Sequence, residues 1–116
     1  DSTWYFHVNS GGSYTVTLSQ ASTISINTWY HMAMVRYGST YRLSQDGTLL
    51  GSALTDTSNV LDLSGVLYIS TFNNSSGNNN FTGWMDEFRI SKGIARWTAN
   101  FTPPISEYGA RGYWYE

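Results

Sequence analysis

The sequence predicts an all-β fold of short antiparallel strands, a sandwich or a barrel, and three observations predict it. Apolar and polar residues alternate with period two along much of the chain, and clusters of turn-forming residues break that alternation at short intervals. Aromatic residues reach 16% while charged residues are only 12%, about half the usual share, so solubility rests on Ser, Thr, Asn and Gly. No convincing helical period extends beyond two turns.

Taken in order, residues 4–8 read as a strand that stops at Asn9-Ser10-Gly11-Gly12, a hairpin-type turn into a second strand over 14–18. A third strand over 23–26 ends at Asn27-Thr28. Residues 29–36 are apolar on both faces, with Trp29, Ala33 and Val35 on one side and Tyr30, Met32 and Met34 on the other, which predicts an interior strand covered on both faces. Gly38-Ser39-Thr40 turns the chain. Asp46-Gly47 supplies the two positive-φ positions of a type I′ turn, so residues 41–45 and 48–52 form a hairpin. Residues 53–65 form a surface connection, 66–72 a further strand, and the polar stretch 73–80 a protruding loop with no packing role. Residues 81–90 read as a strand whose parity breaks between Met85 and Phe88, which a bulge near Asp86-Glu87 would restore. Residues 94–100 form a short helical turn before Pro103-Pro104 ends it.

At 116 residues the chain forms one domain with one core. A net charge of -2 with six scattered Lys and Arg argues against nucleic acid and anionic membrane surfaces, both of which draw affinity from clustered cations. Without cysteine there is no disulfide framework and no thiolate zinc site. No apolar run approaches the roughly 18 residues that span a bilayer, so membrane insertion is not expected. A start at Asp1 rather than Met fits a piece of something longer.

Two blocks carry a family likeness. Trp29-Tyr30-His31-Met32-Ala33-Met34-Val35-Arg36, followed by Gly38-Ser39-Thr40 and Asp46-Gly47, resembles the tryptophan-histidine strand and aspartate-glycine hairpin of laminin G-like domains. Gly83-Trp84-Met85-Asp86-Glu87-Phe88-Arg89-Ile90-Ser91-Lys92-Gly93-Ile94-Ala95-Arg96-Trp97, followed by Phe101-Thr102-Pro103-Pro104, is similar to the closing strand of such domains in bacteriophage tail and tail-fibre proteins. The resemblance covers residues 29–104 and implies a concanavalin A-like jelly roll, an antiparallel β-sandwich that binds ligands at its loop rim or concave sheet. It also implies a domain over 1–104 that is incomplete at its N-terminal side, with neighbouring chain covering the open edge, and a linker or contact strand over 105–116.

Catalysis is not expected. Glycoside hydrolysis on this fold needs two carboxylates about 5 to 9 Å apart, and a Glu-x-Asp-x-Glu strand pattern that supplies them is absent. His7 and His31 lack the partners of a catalytic relay. Sugar binding needs an aromatic face for the C–H side of a pyranose and amides for its hydroxyls. Trp84 and Phe72, flanking Asn73, Asn74, Asn78, Asn79 and Asn80, are the residues that offer both. The resemblance also raises calcium, for which Asp56, Asn59 and Asp62 lie in one loop with oxygen ligands to give. The expected function is a non-catalytic binding and display module of a virion appendage or extracellular surface, homo-oligomeric and directed at host-surface glycan. A structural or decorative domain contacting its own assembly is the alternative, and a fragment of a secreted glycoside hydrolase the remote one.

Overall fold

The computed structural model describes residues 2–10, 13–60, 68–69, 71–74 and 77–107. Every regular element among them is a β-strand and all pairing is antiparallel. Strands β1 (Ser2–Ser10) and β2 (Ser13–Ser22) form a long hairpin. A second sheet is built on β4 (Thr40–Gln45), which has β3 (Met32–Tyr37) along one edge. Its other edge is shared by β5 (Thr48–Leu49) and β6 (Leu54–Thr55). A third, two-stranded sheet pairs β7 (Thr71–Asn74) with β8 (Gly77–Asn80).

The first two sheets are layered face to face by the alternation in β2 and β4. Val16 and Leu18 of β2 and Tyr41 and Leu43 of β4 form the buried cluster, with Trp4, Phe6, Val8, Met32, Leu50 and Leu54 packed around it. Each inward residue is separated from the next by an outward one, the period-two geometry of a sheet with one dry face. Polar side chains stitch the same two layers at one end. Gln20 Nε2 donates to the Ser52 carbonyl at 3.0 Å, and Ser22 Oγ donates to Gln45 Oε1.

The turn chemistry at Asp46-Gly47 is as the sequence predicts. Both residues have positive φ, 50° and 79°, and β4 and β5 pair across them. Gly38 and Asn27, at φ 59° and 57°, also turn the chain where expected.

Several expected elements differ. Residues 23–26 are not a strand, because β2 continues to Ser22 and the chain then turns at Asn27. Strand β3 begins at Met32 rather than Trp29 and pairs only with β4 among the described residues; Ala33 is buried while Met34 is exposed, so it is not covered on both faces. The connection over 53–65 contributes the short strand β6, and its residues 61–65 lie outside the described residues. In the stretch expected to be a strand over 66–72, only Thr71 and Phe72 are in one among the described residues. Of the polar stretch 73–80 expected as a loop, Asn73, Asn74 and Gly77–Asn80 lie in the paired strands β7 and β8, since backbone pairing needs no apolar pattern, and residues 75–76 lie outside the described residues. Residues 81–90 and 94–100 form neither a strand nor a helical turn. The bulge expected at Asp86-Glu87 is not formed, because no strand runs through these residues; Glu87 instead has a positive φ of 52°, with its amide donating to Asp86 Oδ1 at 2.8 Å.

Candidate functional site

The residues after β8 fold back on the second sheet and join the two sequence blocks. The His31 amide donates to Asp46 Oδ1 and the Asp46 amide to the His31 carbonyl, both at 2.8 Å, so the turn is closed by a reciprocal pair of bonds. Phe101 then docks on that turn, its amide donating to the Gly47 carbonyl at 2.9 Å, and Asn100 Oδ1 accepts from the Leu49 amide at 3.1 Å. Trp97 and Phe101 stack with centroids 4.2 Å apart, and both lie nearly perpendicular to the His31 ring at 5.3 and 5.6 Å. The histidine of the first block and the tryptophan of the second are thus one aromatic cluster, which is a packing role for His31, Trp97 and Phe101.

Beside this cluster lies an open cleft of about 230 Å³ between β3 and the returning segment, lined by His31, Met34, Asp86, Glu87, Arg96 and Trp97 among others. Its polar groups are largely tied to local structure. Asp86 accepts the Glu87 amide, and Arg96 Nε donates to Ser91 Oγ at 2.8 Å. Asp86 and Glu87 are adjacent in the chain rather than two residues apart on one strand, and both line this cleft.

The family follows from this arrangement and from comparison. A family profile described as the concanavalin A-like lectin/glucanases superfamily, of laminin G type, matches residues 1–96. The chain belongs to that superfamily. No curated protein and no solved structure matches it. The superfamily match takes in the β1–β2 hairpin, which the likeness over residues 29–104 left out, and it makes the layered sheets those of a β-sandwich.

In this lectin-like sandwich the expected glycan residues separate into two sets. Phe72, Asn73 and Asn74 lie on β7 and Asn78, Asn79 and Asn80 on β8, with Phe72 opposite Asn79, Asn73 opposite Asn78 and Asn80 opposite Thr71. Hairpin pairing therefore brings these asparagines together on two adjacent strands. Trp84 follows four residues after Asn80 and is 85% exposed. Between them the Phe81 ring lies over the Gly83 backbone, so close that a Cβ at Gly83 would come within 2.8 Å of it.

The expected calcium ligands fall only partly within the described residues. Asp56 Oδ1 accepts the Ser58 amide at 2.7 Å, and Arg36 donates to the Ser58 carbonyl at 3.2 Å. The Ser58 hydroxyl and amide, with the Arg36 guanidinium nearby, hold the Asp56 carboxyl below its ordinary pKa. That is the chemistry of a capped polar turn. Asn59 is exposed, Asp62 lies outside the described residues, and no group of three His, Cys, Asp or Glu among the described residues is placed to hold a metal.

One group of exposed rings has no counterpart in the sequence reading. On the outer face of β1–β2, Tyr5, His7 and Tyr14 form a continuous stack, with centroids 5.6 Å apart between Tyr5 and His7 and 4.4 Å between His7 and Tyr14. The signal was present in the Tyr5-x-His7 alternation, but Tyr14 joins it only through the register of the hairpin.

Proposed function

We propose that this superfamily member is a non-catalytic binding and display module that recognises host-surface glycan on behalf of a virion appendage or other extracellular assembly. The observation that carries the reading is Trp84, an indole 85% exposed at the foot of an asparagine-rich hairpin. Leaving so large an apolar ring in water forfeits about 2–3 kcal/mol of burial, which a stacked pyranose recovers in part. The virion setting rests on the likeness of residues 83–97 to the closing strand of phage tail proteins. Support for a non-catalytic role comes from the sequence, which lacks the Glu-x-Asp-x-Glu strand pattern that would set two carboxylates across a sugar.

One aromatic stack and a few exposed hydrogen bonds, each about 1 kcal/mol net, give dissociation constants on the order of millimolar per site. Function then depends on many linked copies. The test is binding of multivalent wild-type domain and its Trp84→Ala variant to a glycan array, with folding checked by circular dichroism. Loss of binding in a folded variant supports the reading; retention removes Trp84 from the site.

A second reading, a structural domain that contacts its own assembly, is favoured by a different observation. Ile26, Trp29, Met34, Phe88, Ile90 and Ile94 are all exposed, and the radius of gyration of 15.4 Å exceeds the roughly 13 Å of a compact domain this long. Apolar surface of that extent suits coverage by neighbouring copies. Wild-type domain that binds no glycan but self-associates in sedimentation would favour it.

A further inference from the structure

We propose that the outer face of the β1–β2 hairpin is a second carbohydrate contact, in which Tyr5, His7 and Tyr14 form a stacking platform for a neutral pyranose. The inference rests on the glycan-binding reading but places a contact on another face, with different residues.

The platform is assembled by a bulge. In β2, Val16 and Leu18 point into the core, so regular alternation would send Tyr14 inward as well. Register changes at this point: Val8 pairs with Val16 but Asn9 pairs with Tyr14, which leaves Thr15 as an extra residue in β2. A bulge of this kind reverses the parity of what lies beyond it and re-aims a side chain. Tyr14 is accordingly 59% exposed and lies against His7 on the outer face. Thr15 Oγ1 donates to the Val8 carbonyl at 3.2 Å across the irregular step. His7 is oriented from its other side by Thr17, with Nδ1 and Oγ1 3.1 Å apart. Three rings are thereby held in one row on a rigid two-stranded element.

The chemistry of the face selects the ligand. Around the rings the outward positions among the described side chains include Thr3, Thr17 and Ser19 from the paired strands, so these neighbours offer hydroxyls and none of them is Lys, Arg, Asp or Glu. The one aliphatic outward residue of β2 is Ala21, so the face offers little aliphatic surface beside its rings. A pyranose fits both features, since its C–H face packs on a ring and its equatorial hydroxyls meet Thr, Ser and the tyrosine hydroxyls. The rings of the row face one another, and among the described residues no further ring covers the outer faces of Tyr5 and Tyr14. Those two ends are the stacking surfaces.

The test uses the full 116-residue chain with methyl glycosides of glucose, galactose, mannose and N-acetylglucosamine. In the wild type, saturation-transfer and chemical-shift changes read contact directly on the Tyr5 and Tyr14 ring protons, with no substitution needed. Affinity is then compared among wild type, Tyr5→Ala, Tyr14→Ala and Trp84→Ala. The expected result is ring-proton shifts at Tyr5 or Tyr14 with at least one glycoside, and a roughly two- to tenfold weakening in the matching tyrosine variant that Trp84→Ala does not reproduce at that site. Shifts confined to Trp84 and the 71–80 hairpin, with the tyrosine variants unchanged, overturn the platform and leave the glycan reading intact. No contact with any of the glycosides at either place overturns both.

Discussion

Gly47→Ala is the perturbation that most sharply probes how the returning C-terminal segment is anchored. Gly47 has a φ of 79°, and a Cβ there would overlap the Phe101 carbonyl oxygen while standing 2.9 Å from its carbonyl carbon and 3.0 Å from Pro103 Cδ. Backbone strain alone costs about 1–2 kcal/mol for an L side chain in this region. Relief of the overlap requires Phe101 to move, which weakens its bond to the Gly47 carbonyl, about 1 kcal/mol, and disturbs its stack on Trp97, about 1 kcal/mol more. The expected loss is about 3–4 kcal/mol, or a fall in Tm of about 10–15 °C for a domain this size. Gly38→Ala is the matched control, because Gly38 has a similar φ of 59° but open space around its Cβ position. It isolates the backbone contribution of about 1–2 kcal/mol. Urea unfolding followed by circular dichroism compares the two. Equal destabilisation by both substitutions would refute the packing of Phe101 on the turn.

Other outcomes follow from the same structure. Asp46→Ala removes the acceptor of the His31 amide and places alanine at a φ of 50°, and should cost about 2–3 kcal/mol in urea unfolding, whereas Asp46→Asn should retain most of the stability. Leu43→Ala, at the centre of the buried cluster, should cost about 2–5 kcal/mol by the same measurement. Tyr41→Phe should leave thermal stability unchanged or raised, because the buried Tyr41 hydroxyl has no hydrogen-bond partner among the described residues. The lowered pKa of Asp56 means that its ionised form favours the fold: that contribution is present above the ordinary value of 3.8 and is lost as pH falls through the lower folded value. Ser58→Ala should move the Asp56 titration midpoint upward in carboxyl-detected NMR, and an unmoved midpoint would contradict the assigned cause.

What the sequence made legible was local chemistry with a single structural solution. Asp46-Gly47 specifies its turn because both residues tolerate positive φ, and the alternation of Tyr41 and Leu43 places them on one face whatever lies opposite. The likeness of residues 29–36 and 83–97 to one family anticipated that the two segments belong to one domain, and the His31, Trp97 and Phe101 cluster is the contact that joins them. Features set by register or by backbone pairing alone were not legible. The β7–β8 hairpin is polar apart from Phe72, so no alternation marks it. Residues 81–90 carry strand-like side chains, yet none of them pairs into a strand, and Glu87 has a positive φ of 52°. Tyr14 reads as inward by parity with Val16, and only the extra residue at Thr15 turns it outward. Trp84 and the asparagines were candidates on sequence alone, whereas the tyrosine and histidine row required the paired register.

The central claim, that this sandwich binds glycan without hydrolysing it, is tested most directly by amide chemical-shift mapping of the intact domain against a panel of oligosaccharides, with the sugar signals followed in the same spectra. The account predicts fast-exchange shifts confined to residues 71–84 or to the outer face of β1–β2, and sugar signals that persist unchanged. Shifts centred on the cleft beside Asp86 and Glu87 with the appearance of new reducing ends, or no shifts with any sugar, would contradict it.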